Sequence, residues 1–371
     1  KSDSYVIIRA GNVISGFVKG VEVDRLDTST SSLTVQVNGN SLAGNTTGIE
    51  ASTLTATMDG GANWWGTATP AGVAALVSAN VDYTPWLANG DASGDPGFQA
   101  DLSTLWVDDG SPQIGTVARI QEAIGLVSGS TVMVAPGSYP GNVIVDKKIV
   151  LQGAGDGSDP LVDTVLLPAA GTIGITIQAG GTGPTDRCVI RDLRVSGGGS
   201  GLYTNSTLGY LTLQNLTVTG TTNYGFEVHN DAVVVDVAMT DVDLVANTSA
   251  GMRVRGKLDG LVMTNGHVDG NVYGLLSYTY PPPDVAAGNN FVNVAVTGTT
   301  FSNNSSKGIY LEKLSDAVFD GITVANSGTA GAWAAGIDVN LKYAAYQNIE
   351  IRNSSVTGCG TGDATNGVGV A

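Results

Sequence analysis

The residues best able to do chemistry stand close together in the second half of the chain, where NYGFEVHND is followed by GMRVRGK. Removing a proton from the carbon beside a carboxylate requires a base, an acid on the opposite face, and cations that hold the carboxylate. Histidine, tyrosine and arginine are suitable residue types for these roles. The candidate catalytic residues are Tyr224, Glu227, His229, Arg253 and Arg255.

A second set of residues is suited to holding a sugar chain. Aromatic rings offer stacking surface, and their polar ends, together with amide and charged groups, can read sugar hydroxyls. The candidate substrate-binding residues are Tyr203, Asn205, Tyr278, Tyr310, Glu312, Trp333, Asp338, Asn340 and Lys342. Trp333 lies in SGTAGAWAAG, where the indole either folds back over the core or remains available to a ligand.

Besides proton abstraction around His229, two further interpretations of the charged residues compete. Glu312 and Asp338 would lie roughly 8 Å apart at strand spacings, within the window of about 6.5–9.5 Å for an inverting glycoside hydrolase. Alternatively, pairs such as Glu227 and Arg253 form a solvated ladder, each worth less than about 1 kcal/mol if exposed. If the face holds a glycan, Arg253, Arg255 and Lys257 form a local positive site that should prefer anionic sugars.

The elements that must position these residues are repeats of one phrase, a glycine followed by alternating apolar residues. The phrase begins at Gly174, Gly201, Gly225, Gly251, Gly274, Gly308, Gly336 and Gly367, at intervals of 23 to 34 residues. A period with variable insertions is typical of a solenoid, and the alternation predicts strands with one buried face. With glycine and asparagine at the corners, the predicted fold is all-β, a parallel β-helix.

In this frame, the second and fourth residues after each glycine point outward and form two columns. The first column is Tyr203, Glu227, Arg253, Leu276, Tyr310 and Asp338. The second column is Asn205, His229, Arg255, Tyr278, Glu312 and Asn340. Successive strands are about 4.8 Å apart, comparable with the ~5 Å spacing of sugars in a polysaccharide.

Two β-helix modules are predicted. Residues 1–87 have alternating phrases and a tryptophan-rich closing segment, and the Gly/Asp/Pro-rich stretch 88–110 is a linker. Residues 111–371 form the second module, which begins with an amphipathic capping helix at 115–127. We expect the first module to lack its beginning and the second to be truncated at its end.

The composition of the chain limits the kinds of partner that it can bind. The chain has 371 residues with 52 glycines, and 33 acidic residues against 17 basic ones give a net charge of −16. Such a field repels nucleic acid and anionic membranes, and no apolar run approaches the ~20 residues of a membrane span. We therefore expect neither partner. No cofactor is predicted, although calcium near Asp91, Asp95 and Asp101 is kept as an alternative that fits no EF-hand spacing.

Several segments resemble known families. RIQEAI and the following GSTVMVAPGSYPGNVIVDKKIVLQGAG resemble the opening of right-handed parallel β-helix proteins of the pectin-lyase-like superfamily. GANWWGTATP, VDYTPWL and DPGFQAD resemble the closing and joining segment of repeat modules in large bacterial extracellular β-helix proteins. The resemblance implies a right-handed parallel β-helix in tandem modules, a secreted or cell-surface location in a bacterium, and further modules of the same chain as partners.

A shorter resemblance concerns activity. NYGFEVHND is similar to the YGFDPH-type active-site motif of mannuronan C5-epimerases, with matches at Tyr224, Gly225, Phe226 and His229. Glu227 stands where that family has aspartate. The main hypothesis is a structural or adhesive protein whose polar face binds a polysaccharide or surface glycan. The alternative is a polysaccharide-active enzyme: a uronate lyase or C5-epimerase, or an inverting glycoside hydrolase.

Overall fold

The computed structural model describes residues 4–24, 33–91, 97–278 and 290–371. The chain divides into two compact units, Lys1–Tyr139 and Pro140–Ala371. The described residues form short parallel strands stacked as successive coils, about 12 turns in total. This confirms the predicted fold class, an all-β parallel β-helix.

The first unit is a stack of short strands. Its described strands are β1 (Ser4–Arg9), β2 (Lys19–Glu22), β3 (Leu33–Asn38), β4 (Thr47–Glu50), β5 (Met58–Asp59), β6 (Val81–Asp82), β7 (Trp86–Leu87), β8 (Gly90–Asp91), β9 (Gln99–Ala100), β10 (Thr104–Val107), β11 (Thr131–Val134) and β12 (Gly137–Pro140), the last of which ends just beyond the unit boundary. Its helices are α1 (Pro70–Ala74) and α2 (Arg119–Leu126). Strands β1, β3, β5 and β6 pair in parallel in that order, and β2 pairs with β4.

Helix α2 is the predicted amphipathic helix, but it begins at Arg119 rather than at residue 115. Gly115 has a φ of +80° and Ala118 is extended, with a ψ of 142°, so this stretch cannot be helical. Ile120, Ala123 and Ile124 form the buried face, which packs on β10 and β11. The modules 1–87 and 111–371 and the linker 88–110 remain predictions.

The tryptophans of the predicted closing segment serve the core of the first unit. Trp65 and Trp86 are buried, with 1% and 0% of their surface exposed, while Trp64 is half-buried. The ring of Trp86 stacks on that of Trp106 at a centroid distance of 6.3 Å. The rings of Trp65 and Trp86 therefore fill the interior of the first unit.

The second unit carries the repeated glycine phrase. Its described strands are β13 (Val143–Val145), β14 (Val150–Gln152), β15 (Thr164–Leu167), β16 (Ile175–Ile177), β17 (Cys188–Ser196), β18 (Leu202–Thr204), β19 (Thr207–Thr219), β20 (Tyr224–Val228), β21 (Val233–Val245), β22 (Ala250–Val254), β23 (Lys257–Thr264), β24 (Tyr273–Ser277), β25 (Phe291–Thr297), β26 (Lys307–Leu311), β27 (Ser315–Asp320), β28 (Thr323–Ala325), β29 (Ala335–Val339), β30 (Ile349–Arg352), β31 (Ser355–Thr357) and β32 (Val368–Val370). One sheet, here called the anchor sheet, runs β13, β16, β18, β20, β22, β24, β26, β29, β32. A second sheet runs β14, β17, β19, β21, β23, β25, β27, β30.

Close approach between coils explains the glycines of the anchor sheet. A Cβ atom built on Gly225 would lie 2.5 Å from the carbonyl oxygen of Gly251, and one on Gly308 would lie 2.6 Å from that of Gly336. Both oxygens belong to the backbone, which cannot rotate away as a side chain can. Any larger residue would push the coils apart, which would break the ladder of backbone hydrogen bonds.

The apolar positions of the phrase stack inside the unit. Phe226, Met252, Leu275, Ile309 and Ile337 lie opposite one another on successive strands, and each is at most 1% exposed. The side chains beside them in sequence consequently face away from this core.

A ladder of buried asparagines runs along one corner of the second unit. The side-chain oxygen of Asn271 accepts a hydrogen bond from the Asn247 amide at 2.8 Å, and that of Asn304 accepts one from the Asn271 amide at 2.9 Å. The side-chain nitrogen of Asn271 donates to the Leu244 carbonyl oxygen at 3.0 Å. Each asparagine thus satisfies backbone groups of a turn that no strand pairing reaches.

Replacement of Asn271 by alanine is expected to lower the free energy of unfolding by about 2–4 kcal/mol, because the backbone amide of Asn247 and the carbonyl of Leu244 lose their buried partner. Urea denaturation followed by circular dichroism measures this loss. Asn293→Gly is the control: Asn293 is exposed with a φ of 57°, which glycine adopts readily, so we expect a change of at most about 0.5 kcal/mol. Equal losses in both variants would contradict a special role for the ladder.

Candidate functional site

Strand pairing brings the two predicted columns together on the anchor sheet. Cα partners across β18, β20, β22, β24, β26 and β29 are Tyr203, Glu227, Arg253, Leu276, Tyr310 and Asp338, in that order. The second column continues this register, since the amide of His229 donates to the Thr204 carbonyl and that of Asn340 to the Leu311 carbonyl, both at 2.9 Å. In this column, Asn205 and Asn340 are exposed.

The arginine cluster consists of Ser200, Tyr224, Glu227 and Arg253. Nη1 of Arg253 lies 2.9 Å from Oε1 of Glu227, and the two side chains are only 14% and 9% exposed. The guanidinium carbon of Arg253 lies 4.7 Å from the centre of the Tyr224 ring, and the Ser200 hydroxyl donates to Glu227 at 3.2 Å. This is a largely buried ion pair, whereas the alternation pattern alone predicts an exposed one.

His229 lies beside this cluster but contacts different residues. Its ring centroid is 5.6 Å from that of Tyr203, and its Nδ1 atom is 3.2 Å from Oδ2 of Asp231. Burial, with smaller contributions from Glu227 and Asp231, raises the pKa of the Tyr203 phenol. Tyr203 is therefore a neutral hydrogen-bonding group at neutral pH and not a base.

The local positive charge expected around Arg253 is largely offset. Arg253 holds Glu227 at 2.9 Å, and Nζ of Lys257 lies 3.8 Å from Asp259. Arg255 follows β22 and is half-buried. A substrate carboxylate would thus compete with protein carboxylates for at least two of these cations.

Farther along the anchor sheet the outward residues border an open cavity of about 790 Å³, here called the C-terminal groove. Its lining residues are Tyr273, Tyr278, Lys307, Tyr310, Glu312, Ala332, Trp333, Asp338, Asn340, Thr365, Asn366, Val368 and Ala371. Most of the predicted substrate-binding residues thus border one space. Tyr203 and Asn205 lie on earlier coils, outside this lining, and Lys342 is not part of the lining either, although it bonds Glu312 at 2.6 Å.

Lys307 is one of the residues that line the groove. Its ammonium group is paired with Asp338, donates to the carbonyl oxygen of Trp333 at 2.6 Å, and lies 5.0 Å from the centre of the Tyr310 ring. The side chains of Lys307 and Asp338 are only 9% and 14% exposed. The lysine therefore joins a carboxylate, a loop and an aromatic ring into one rigid unit.

A second carboxylate–lysine pair stands next to it. Glu312 accepts hydrogen bonds from Lys342 at 2.6 Å and from the Tyr310 hydroxyl at 2.7 Å. Burial, followed by the bond to Glu312, raises the pKa of Tyr310 to about 12, and Glu312 also raises the pKa of Lys342. At neutral pH the phenol is a fixed donor to Glu312, and the ammonium of Lys342 is charged.

Trp333 is held at the rim of the groove by its backbone. Its amide donates to Oδ2 of Asp363 at 2.8 Å, its carbonyl oxygen accepts from Lys307, and its φ is 56°. The side chain is 66% exposed. Of the two conformations that the sequence allows for this indole, the structure has the one open to solvent.

Sequence reasoning missed Tyr273 and Lys307, which contribute as much to the groove as the predicted residues do. Each lies immediately before an anchor glycine, as Ser200 and Tyr224 do. Tyr224 and Tyr273 share a register position through Ala250, and Tyr273 pairs with Lys307. The repeat frame could have identified this third column, because its members can be read from the glycine positions.

The glycoside-hydrolase alternative places two free acids at Glu312 and Asp338. Both border the groove, yet each is bound to a lysine, Lys342 and Lys307 respectively. Paired in this way, the two acids are suited to form the walls of the groove. They are less suited to act as a general acid on a glycosidic bond and a general base on a water.

The calcium alternative cannot be placed, because Asp95 and the Asp91 side chain lie outside the described residues. Asp101 accepts a hydrogen bond from the Ser103 amide at 2.9 Å. Among the residues that the structure describes, no group of three or more histidine, cysteine, aspartate or glutamate side chains is arranged to hold a metal. The described ranges also contain no helix of the length and apolarity needed to cross a membrane.

The stacked parallel coils define the class: this chain is a parallel β-helix protein. Neither models of known protein families nor curated protein sequences give a match. Among solved structures, it is similar to the A-module of the mannuronan C-5 epimerase AlgE4 from Azotobacter vinelandii, with 15% identity and a TM-score of 0.35 over 68% of this chain and 91% of that one. The receptor-binding protein of bacteriophage Det7, a podoviral tailspike in a myovirus, is 12% identical with a TM-score of 0.21, over 87% of this chain and 66% of its own. Likenesses this remote carry no information on activity.

Arg253→Ala is expected to lower the free energy of unfolding by about 3 kcal/mol, because Glu227 would remain buried with its charge uncompensated. Urea denaturation measures the change. The control is Arg352→Ala, since the 2.9 Å pair of Arg352 with Asp320 has side chains 49% and 30% exposed and should contribute less than about 1 kcal/mol. A small loss in both variants would support the solvated ladder instead.

Proposed function

We propose that the C-terminal groove binds a glycan, and that the chain is part of a structural or adhesive protein on the outside of a bacterial cell. The observation that carries the binding proposal is the state of Trp333, a large apolar ring that is 66% exposed yet rigidly placed at the edge of a cavity of about 790 Å³. Further β-helix modules of the same chain are proposed as its structural partners.

The backbone of Trp333 supports a binding role for the ring. A φ of 56° costs a non-glycine residue about 1 kcal/mol or more. Hydrogen bonds from Lys307 and to Asp363 stabilise the conformation, but burial of the indole does not. Strain and exposed apolar surface at one residue favour a ligand that covers the ring.

The neighbouring rings suit a polysaccharide. Tyr273 and Tyr310 lie on adjacent strands with centroids 6.1 Å apart and planes 36° apart. Strands about 4.8 Å apart repeat nearly in step with sugar units. Rings stack on the apolar faces of sugars, and the Asn340 and Thr365 side chains in the lining offer partners for hydroxyl groups.

Trp333→Gly is expected to weaken glycan binding by about tenfold or more, equivalent to about 1.4 kcal/mol. Little stability should be lost, because glycine adopts a positive φ without steric strain, which offsets its larger entropy loss on folding. Affinity electrophoresis in gels containing soluble polysaccharides measures binding. Tyr343→Gly is a matched control: Tyr343 is 62% exposed, has a φ of 69° and lies outside the groove lining. Equal retention of the wild type and Trp333→Gly in a gel that binds both would exclude the indole from the site.

A second candidate function is action on uronates, and one observation favours it. Tyr224, Glu227 and Arg253 are in contact, and His229 lies on the same coil as Glu227 with its ring against Tyr203. These are the residue types needed to remove a proton beside a carboxylate. The pairing of Arg253 with Glu227, however, occupies the cation that would hold the substrate.

We expect no turnover of polymannuronate or polygalacturonate by the wild-type chain, measured as unsaturated ends and as proton exchange at C5. Product formation that falls by ~10²–10⁴ in His229→Ala, as for loss of a general base, would establish the enzyme instead. His267→Ala is the control, because His267 is the other histidine of the chain and is 54% exposed, paired with Asp243 at 2.7 Å.

A further inference from the structure

Each charged side chain in the lining of the C-terminal groove is paired with an opposite charge, in one case with Lys342, which lies just outside the lining. Lys307 is paired with Asp338, and Lys342 with Glu312 at 2.6 Å. Three of the four side chains are at most 14% exposed, and only Lys342, at 33%, is more open to solvent. Because so little water reaches them, these pairs cannot rearrange at low cost to receive another ion.

A third carboxylate adds negative charge at the rim. Asp363 accepts the amide hydrogens of Trp333, Thr365 and Asn366 at 2.8–2.9 Å, and bonds to Asn366 and Trp333 lower its pKa to about 2. It is thus ionised at any physiological pH. Three carboxylates, those of Asp338, Glu312 and Asp363, thus accompany the two ammonium groups of Lys307 and Lys342.

An anionic sugar would therefore bind poorly here. Its carboxylate would have to displace Glu312 or Asp338 from a lysine, leaving a buried charge without a partner. The net charge of −16 repels a polyanion as it approaches. A sugar hydroxyl avoids both problems, because it donates and accepts hydrogen bonds and can join Asn340 or Tyr310 without breaking an ion pair.

Resting on the glycan-binding function proposed above, we infer that the C-terminal groove selects uncharged sugar units and excludes uronates. The selection follows from the cross-coil pairing of its lysines with carboxylates. This specificity is the opposite of that expected from the basic residues around Arg253 when the sequence alone is considered.

The test compares retention of the full 371-residue chain in gels containing a neutral glucan, galactan or mannan, the polyanions polymannuronate and polygalacturonate, or cationic chitosan. We expect retention by at least one neutral polymer, loss of that retention in Trp333→Gly, and little change as added salt shortens the Debye length from about 10 Å to about 3 Å. Stronger retention by a polyuronate or by chitosan, lost in Trp333→Gly, would overturn the inference and leave the glycan-binding function standing. Failure of every polymer to bind would overturn both.

A gain-of-function variant tests the cause of the selection. Glu312→Gln keeps the side-chain shape and releases Lys342, so the ratio of polyuronate to neutral-polymer retention should rise by about tenfold or more, about 1.4 kcal/mol. Circular dichroism and thermal melting establish that the variant is folded, and Asp338→Asn, which releases Lys307, provides a second version. A folded variant with an unchanged ratio would show that pairing does not exclude uronates.

Discussion

Neighbouring coils of the second unit approach so closely at the anchor glycines that no side chain fits between them. A Cβ atom on Gly225 or Gly308 would meet the carbonyl oxygen of the next glycine at 2.5 or 2.6 Å. This contact fixes the register of the anchor sheet, since sliding a strand by one residue would place a side chain against that oxygen. The columns, the ion pairs across coils and the groove all depend on it. Side chains of neighbouring coils lie opposite one another because the glycines before them do.

Because the register follows from glycine spacing, the sequence was sufficient to predict the fold and the members of both columns. Alternation predicts which side of a strand a residue faces, but not how deeply its side chain is buried. The burial of Glu227 and Arg253 was therefore unpredictable, since it depends on side chains of neighbouring coils. Trp333 depends on a loop held by a residue of the following coil, a contact that no local pattern encodes. Tyr273 and Lys307 were missed because strict alternation directs attention to the positions after each glycine and not to the one before it.

Polar groups have different tasks inside and outside the coil. The buried asparagines, such as Asn271, satisfy backbone groups at a corner where a missing hydrogen bond would be costly. On the anchor sheet, charged residues pair across coils, as Arg253 does with Glu227 and Lys342 with Glu312. Ion pairs form on the second sheet as well, where they are more exposed to solvent. Buried pairs contribute little to net stability relative to apolar residues, which suggests that they define the chemistry of the surface rather than hold the fold.

The same rigidity determines what the groove can do well. Lys307 links a strand, the loop of Trp333 and the Tyr310 ring, and Asp363 holds that loop from the other side. Association costs free energy for every side chain that becomes ordered, and these side chains are already ordered by bonds within the protein. A flexible polymer also loses conformational entropy when it binds. A surface that is already ordered, and whose repeat matches that of the polymer, adds little further cost. Catalysis of proton transfer needs in addition a base and cations whose charges are available to the substrate. On this face the charged side chains are already paired with one another. This pairing favours a binding surface over a catalytic site as the explanation of the same residues.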